Sequence, residues 1–384
     1  MKLLYLSTDP GVPVLGHKGA SVHVRAIVAA LATAGAEVVV ASPRVTVEGE
    51  LLEAAASLVE IVPVLPKALV DGRALRHAVE RQAEDVLALA RDLGIDAVYE
   101  RYALFSVAGV RAASALGVPH LLEVNAPLRD EAARFRSLPH PAAAAAFERE
   151  VFERTDRVVA VSKTLARLLV AAGLDAAKVE VVSNGVSTDA IRSIVPRRDG
   201  AFTVGFAGSL KPWHGIDVLL EAFAAALREE PALRLEIVGS GPLAELVRAS
   251  DLPASALVYR GRLSHRETLH AIARWNVGAA PYPPFDDFYF SPLKVGEYMA
   301  CGACPVVSDL PVLRTMLGDG ERGVLVEPGD PSALAAAFVA LARDPGRTRL
   351  LGERAREHAL ASLGWDRNAG RVLAALAPLT GALR

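Results

Sequence analysis

The chain has 384 residues, with 42 Lys and Arg against 44 Asp and Glu, a formal net charge of −2, and 52% hydrophobic residues. At about 150 residues per domain this is too long for one core, and no cationic excess marks a nucleic-acid binder, so two domains and a small-molecule partner are expected. The only cysteines, Cys301 and Cys304, are too few for a disulfide framework and lack ligand-spaced companions for zinc.

The N-terminus, MKLLYLSTDPG, has too short an apolar run for a signal peptide. No run reaches the ~18 apolar residues of a membrane span, and a cytoplasmic protein is the expectation. Apolar runs rich in Val, Ile and Leu then alternate with segments of helical periodicity, which predicts parallel sheets covered by helices, an α/β chain. The first half offers strands at Lys2–Ser7, Glu37–Ser42, Asp96–Arg101, His120–Asn125, Arg157–Ser162 and Val179–Gly185. Gly35 and Gly173 stand where a left-handed residue closes a helix. The segment Thr188–Gly200 is weakly periodic and reads as the connection between domains. A second series follows: FTVGFAGSL, LRLEIVGSG, LVYRG, NVGAAPY, PVVSD and GVLVEP. Ser264 with Glu267 spells a capping box, and Asp330 before Pro331 a capped helix start. The last segment, 365–384, is helical by spacing and is expected to pack back on the first domain, giving domains at 1–190 and 191–364.

In open parallel sheets ligands collect at the carboxyl ends of the strands, so polar and glycine-rich residues just after strands are the candidates. In FSPLKVGEYMACG, Ser291 reads as a helix cap and Pro292 as the first helical residue, leaving the amides near Leu293 free for an anion. Lys294 opposes the helix dipole there, a poor choice for the helix alone and a good one beside phosphate. Glu297, one turn on, can accept from ribose hydroxyls. In VGFAGSLKPWHGIDVLL, Gly208 and Ser209 allow close backbone approach, while Lys211 and His214 could neutralise a leaving diphosphate and Trp213 packs. In DPGVPVLGHKGASVH, Gly16 and Gly19 precede a helix expected from Ser21. The loop is neither Gly-x-Gly-x-x-Gly nor Gly-Lys-Ser/Thr, which weighs against dinucleotide oxidoreductases and phosphate-loop NTPases. Glu123, Asn125, Glu100 and Arg101 end first-domain strands and are expected on the opposite wall of a cleft.

These elements together resemble the retaining glycosyltransferases of family 4, whose GT-B fold has two facing Rossmann-like domains around a cleft. The resemblance rests on Gly16–Ser21, SNGV at Ser183–Val186, GFAGSLKPWHGIDVLLEAF, IVGSGP at Ile237–Pro242 and SPLKVGEYMACGACPVV at Ser291–Val307. It implies sugar transfer from a nucleotide-diphosphate donor, a UDP-sugar for preference, to a saccharide, lipid-linked or natural-product hydroxyl. It implies no cofactor and no metal. Lys211, Lys294 and Glu123 are the expected catalytic groups. Gly16, Gly19, Gly208, Ser209, His214, Ser291, Pro292, Leu293 and Glu297 are the expected donor contacts. Two departures stand out. Tyr289 replaces the first glutamate of the family's Glu-x7-Glu element, and EVNAPL lacks the family's first-domain histidine. Glu123, Asn125, Asp286 and Asp287 are the candidates to compensate. A non-catalytic nucleotide-sugar binder and a sugar-nucleotide epimerase are the alternatives. Peripheral membrane contact is a further possibility the resemblance raises, and Arg73, Arg76, His77 and Arg81 form a basic cluster, though Glu80, Glu84 and Asp85 interrupt it as on a solvated helix face.

Overall fold

The computed structural model describes all residues except 17, 46–56, 66–67, 70, 199 and 382–384. The chain divides into two compact units. The first holds Met1–Asn184, Tyr289–Ser291 and the helix from Trp365; the second holds Gly185–Phe288 and Pro292–Gly364. The division falls at Asn184, a few residues before the expected 190, and the expected linker contains a short helix, α7 (Thr188–Arg192).

The first unit is a seven-stranded parallel sheet: β1 (Lys2–Ser7), β2 (Glu37–Ser42), β3 (Ser57–Glu60), β4 (Ala97–Arg101), β5 (His120–Val124), β6 (Arg157–Ala160) and β7 (Val179–Val181). Their order is β3-β2-β1-β4-β5-β6-β7, with Leu4 in register with Val39 on one side and Val98 on the other. Helices α1 (Gly19–Thr33), α2 (Gly72–Leu93), α3 (Ala108–Leu116), α4 (Leu128–Phe135), α5 (Pro141–Arg154) and α6 (Lys163–Ala171) belong to this unit. The C-terminal helix α15 (Trp365–Gly381) packs on α1.

The second unit repeats the plan with six parallel strands: β8 (Thr203–Ala207), β9 (Arg234–Val238), β10 (Leu257–Gly261), β11 (Val277–Ala280), β12 (Cys304–Ser308) and β13 (Val324–Val326). The order is β10-β9-β8-β11-β12-β13. Its helices are α7, α8 (Ile216–Glu229), α9 (Ala244–Arg248), α10 (His265–Ile272), α11 (Leu293–Ala300), α12 (Pro311–Leu317), α13 (Pro331–Arg343) and α14 (Pro345–Ser362).

Both strand orders are Rossmann-like. Each reverses direction once, at β1/β4 and at β8/β11, and at such a reversal two loops diverge and leave a crevice beyond the carboxyl ends of the strands. The strands read as continuous apolar runs because helices cover both faces. In the second unit, Val204, Phe206, Leu235, Ile237, Val277 and Val306 are buried with Phe223 of α8 and Phe338 of α13. Each such side chain contributes roughly 1.5–3 kcal/mol by leaving water. That core fixes where β8 and β11 end. Gly35 and Gly173 are left-handed, as expected of helix-closing residues. β3 has no counterpart in the sequence reading, being four residues of which none is fully buried. Among the described residues no helix is long and apolar enough to cross a membrane.

Candidate active site

The switch point of the second sheet is lined by the residues that follow β8 and by the first turn of α11. Pro292 stands at the cap position of α11, not inside it, and no side chain caps that turn. Ser291, expected to be the cap, belongs to the first unit: its hydroxyl accepts the Asn184 backbone N–H at 2.9 Å, and its carbonyl accepts Asn184 Nδ2 at 2.7 Å. The start of α11 therefore keeps its free amides without help from Ser291.

Lys294 is 9% exposed, and among the described residues its Nζ has no hydrogen-bond partner. The ammonium lies 4.1 Å from the centre of the Phe206 ring and 5.6 Å from that of Tyr282. Burial, only partly offset by Glu297, lowers its pKa to about 7. Gly208 makes room for it: with φ +141, a Cβ there would lie 2.9 Å from Nζ. Aromatic faces soften the desolvation of a cation without replacing its hydrogen bonds.

Lys211 and Lys294 converge on His214. The Lys211 ammonium sits over the Trp213 ring at 5.5 Å, giving Trp213 a contact beyond packing. His214 Nδ1 lies 2.5 Å from the Ser209 carbonyl, to which it donates. Burial and then the Lys294 charge, with a smaller push from Lys211, lower the pKa of His214 to about 3. At neutral pH His214 thus carries no charge, and its one N–H is the Nδ1–H that the Ser209 carbonyl accepts, which leaves Nε2 as an acceptor.

Glu297 does not pair with Lys294 as the i, i+3 spacing suggests. Its Oε1 lies 2.7 Å from His265 Nε2 at the start of α10. Tyr298 anchors the helix beneath: its hydroxyl accepts the Ala207 N–H at 2.8 Å and reaches the Ala279 carbonyl at 3.3 Å, tying α11 to the ends of β8 and β11. Neither His265 nor Tyr298 was marked by the sequence pattern. Asp286 and Asp287 occupy an exposed turn.

In the first unit a polar cluster ends β4 and β5. Glu123 is 2% exposed. Tyr99 donates its hydroxyl to Oε2 at 2.5 Å, while Arg101 and Asn125 donate to Oε1 at 2.9 and 2.5 Å. His23 Nε2 lies 2.9 Å from Oε1 without the alignment of a hydrogen bond, and His23 Nδ1 meets Asn184 Oδ1 at 2.9 Å. Burial would raise the Glu123 pKa, but His23, Arg101 and the Tyr99 hydroxyl outweigh it and hold the carboxyl well below its usual range. Glu123, expected among the catalytic groups, is therefore enclosed and engaged; it fixes Arg101 and Asn125, which are less buried. Glu100 faces elsewhere, bonded to Ser106 at 2.8 Å and His120 at 3.0 Å, and leaves the candidate set.

Gly16 is buried against Pro13 and its carbonyl accepts from Arg25 at 2.6 Å. Gly19 is the first residue of α1, which starts two residues before the expected Ser21. Arg73, Arg76, His77 and Arg81 are exposed on α2, beside Glu80, which pairs with Arg111 at 2.7 Å. Tyr289 is buried in the apolar core of the first unit, and its carbonyl accepts the Ser162 hydroxyl at 2.8 Å. Both cysteines are buried, and burial pushes both thiols up to about 12. Among the described residues no group of three His, Cys, Asp or Glu side chains gathers as a metal site.

Comparison with known proteins agrees with this plan. Residues 201–344 match the model of glycosyl transferases group 1, and residues 17–190 match that of glycosyltransferase family 4. A D-inositol 3-phosphate glycosyltransferase of Thermomonospora curvata is 31% identical over 307 residues, covering 72% of this chain and 70% of its own. One from Kribbella flavida is 29% identical over 307 residues, covering 73% and 70%. Sucrose-phosphate synthase from Thermosynechococcus elongatus shares the fold with a TM-score of 0.76 at 20% identity, over 100% of both chains. Anabaena HepE in complex with UDP-glucose does so with 0.72 at 16% identity, over 98% of this chain and 100% of its own. With matches to both family models and relatives that span most of its length, the chain belongs to the family 4 glycosyltransferases and is an enzyme of that group, built on the GT-B fold.

Proposed function

We propose that this glycosyltransferase moves a sugar from a nucleoside-diphosphate donor, a UDP-sugar for preference, to an acceptor hydroxyl with retention of anomeric configuration. The observation that carries the reading is Lys294 in the first turn of α11, a buried ammonium with no hydrogen-bond partner among the described residues. Native proteins pair buried charges, and one without a partner at a helix start is matched by an anion. The diphosphate of the donor is that anion. The solved HepE complexes with UDP and with UDP-glucose support this choice, sharing the fold.

In this reading Lys294, the Leu293 amide and the Ser209 amide hold the diphosphate, while Gly208, whose own N–H donates to the Val238 carbonyl at 3.0 Å, leaves room for the Lys294 ammonium. Lys211 completes the charged set after β8, and His214 braces that loop through its bond to the Ser209 carbonyl. As the glycosidic bond breaks, negative charge grows on the departing phosphate oxygen, and dipoles and ammonium groups already in place stabilise it without reorganising. Glu297 takes the ribose hydroxyls. Asn125 and Arg101, held by Glu123, are the acceptor-side contacts of the first unit. Glu123 itself is too enclosed to act as a nucleophile. The acceptor is therefore taken to attack from the face the diphosphate leaves, with a phosphate oxygen receiving its proton.

A thermal-shift screen of UDP, GDP, ADP and dTDP identifies the base, because a ligand of the native state raises the melting temperature by mass action. Incubation of the matching nucleotide sugar with candidate acceptors, followed by NMR of the product, tests the rest. Retained configuration supports the reading; an inverted product refutes the mechanism, and turnover of donor without acceptor refutes the transfer.

A further inference from the structure

We infer that His265 is a positioning residue for Glu297, holding the carboxylate in the orientation in which it receives the two ribose hydroxyls of the donor. The inference rests on the reading of Glu297 as the ribose contact. His265 Nε2 lies 2.7 Å from Glu297 Oε1, and the two side chains are 21% and 12% exposed, so the pair is largely shielded from competing water.

Both ends of this contact are mounted on fixed backbone. His265 is the first residue of α10, and the turn it occupies is locked by the capping box: Ser264 Oγ accepts the Glu267 N–H at 3.2 Å, and Glu267 Oε2 accepts the Ser264 N–H at 2.9 Å. Leu269 and Ile272 bury the far face of that helix. On the other side, the Tyr298 hydroxyl ties the neighbouring residue of Glu297 to β8. The geometry thus spans two elements that are distant in sequence, through one hydrogen bond.

A glutamate has three rotatable side-chain bonds, and a ligand that must order it gives up affinity to do so. His265 fixes the carboxylate beforehand. It occupies one acceptor direction on Oε1 and leaves the rest of that oxygen and all of Oε2 to accept from hydroxyls. An ordinary structural pair would hold α10 against α11 and nothing more. The two roles separate in a measurement that reads the ribose hydroxyls alone.

The test compares the affinities of the full chain for UDP and for 2′,3′-dideoxy-UDP by calorimetry, in the wild type and in His265→Ala, His265→Gln and Glu297→Ala. Circular dichroism and melting temperature confirm that each variant is folded. The wild type is expected to prefer UDP, Glu297→Ala to lose that preference, and His265→Ala to reduce it by about tenfold, the cost of ordering one free side chain. His265→Gln, which keeps an N–H donor, is expected to recover most of it. A wild-type preference in His265→Ala, with the preference gone in Glu297→Ala, overturns the inference and leaves the ribose reading standing. An unchanged preference in Glu297→Ala, or none in the wild type, overturns the ribose reading itself.

Discussion

Lys294 and Glu123 are both buried charges near the ends of parallel strands, one in each unit, and the fold treats them in opposite ways. Glu123 is surrounded by Tyr99, Arg101, Asn125 and His23, and His23, Arg101 and the Tyr99 hydroxyl hold its carboxyl well below the usual range. Lys294 has two aromatic faces and, among the described residues, no hydrogen-bond acceptor, and burial lowers its pKa to about 7. Burial alone therefore does not identify a functional charge. A buried charge with its full complement of partners belongs to the scaffold, and one that lacks them is the one to test for a ligand.

Removing each group should produce opposite patterns. Glu123→Ala leaves Arg101 and His23 facing an apolar gap, and breaking a buried pair from one side costs about 3–5 kcal/mol. Denaturant unfolding should show that loss. The linkage has a sign: a depressed carboxyl contributes stability that is complete above its unfolded pKa and lost only as pH falls through the folded one, so the difference between wild type and variant should shrink in strong acid. Equal stability of the two proteins at neutral pH would break the comparison.

Lys294→Met should do the reverse, leaving stability unchanged or higher, because an unpaired buried charge is replaced by an apolar chain of similar length. Its kcat/KM with the nucleotide sugar should fall by roughly 10²–10³-fold, the scale for losing one preorganised contact to developing charge. A variant of wild-type activity would remove Lys294 from the site. The smallest effect is expected at the support of the donor helix pair: Ser264→Ala removes a cap and should cost about 1 kcal/mol of stability. Through His265 it should also weaken UDP more than 2′,3′-dideoxy-UDP. A loss shared equally by both nucleotides would mean that the cap serves stability alone.

The strands were legible because each depends on local pattern, and the candidate donor residues were picked out by the same kind of signal. Apolar runs of four to six residues announced β8 and β11, and a lysine in the first turn of a helix announced an anion. Long-range partners were not legible. Ser291 looks like a cap by its place before Pro292, yet its hydroxyl accepts the amide of Asn184, 107 positions away. His265 and Glu297 are 32 positions apart, and nothing in LSHRETLH marks the histidine as facing a carboxylate. Glu123 looked catalytic because it ends a strand where the family's first-domain histidine is missing; its enclosure by Tyr99 and Arg101 depends on the register of β4 against β5, where Arg101 stands beside Glu123. Short β3 escaped notice for a related reason, since its alternation is too brief to separate from loop.

The central claim is that Lys294 is the charge that meets the donor diphosphate. A lysine whose folded pKa is about 7, down from 10.5, makes the unfolded chain the better proton binder between those values, so the ligand-free protein should gain stability as pH rises through that window. Bound diphosphate favours the ammonium and reverses this. Calorimetry of UDP binding at about pH 8, in two buffers of different ionisation enthalpy, should therefore register uptake of about one proton by the wild type and none by Lys294→Met. No uptake by the wild type, or the same uptake by both proteins, would contradict the account.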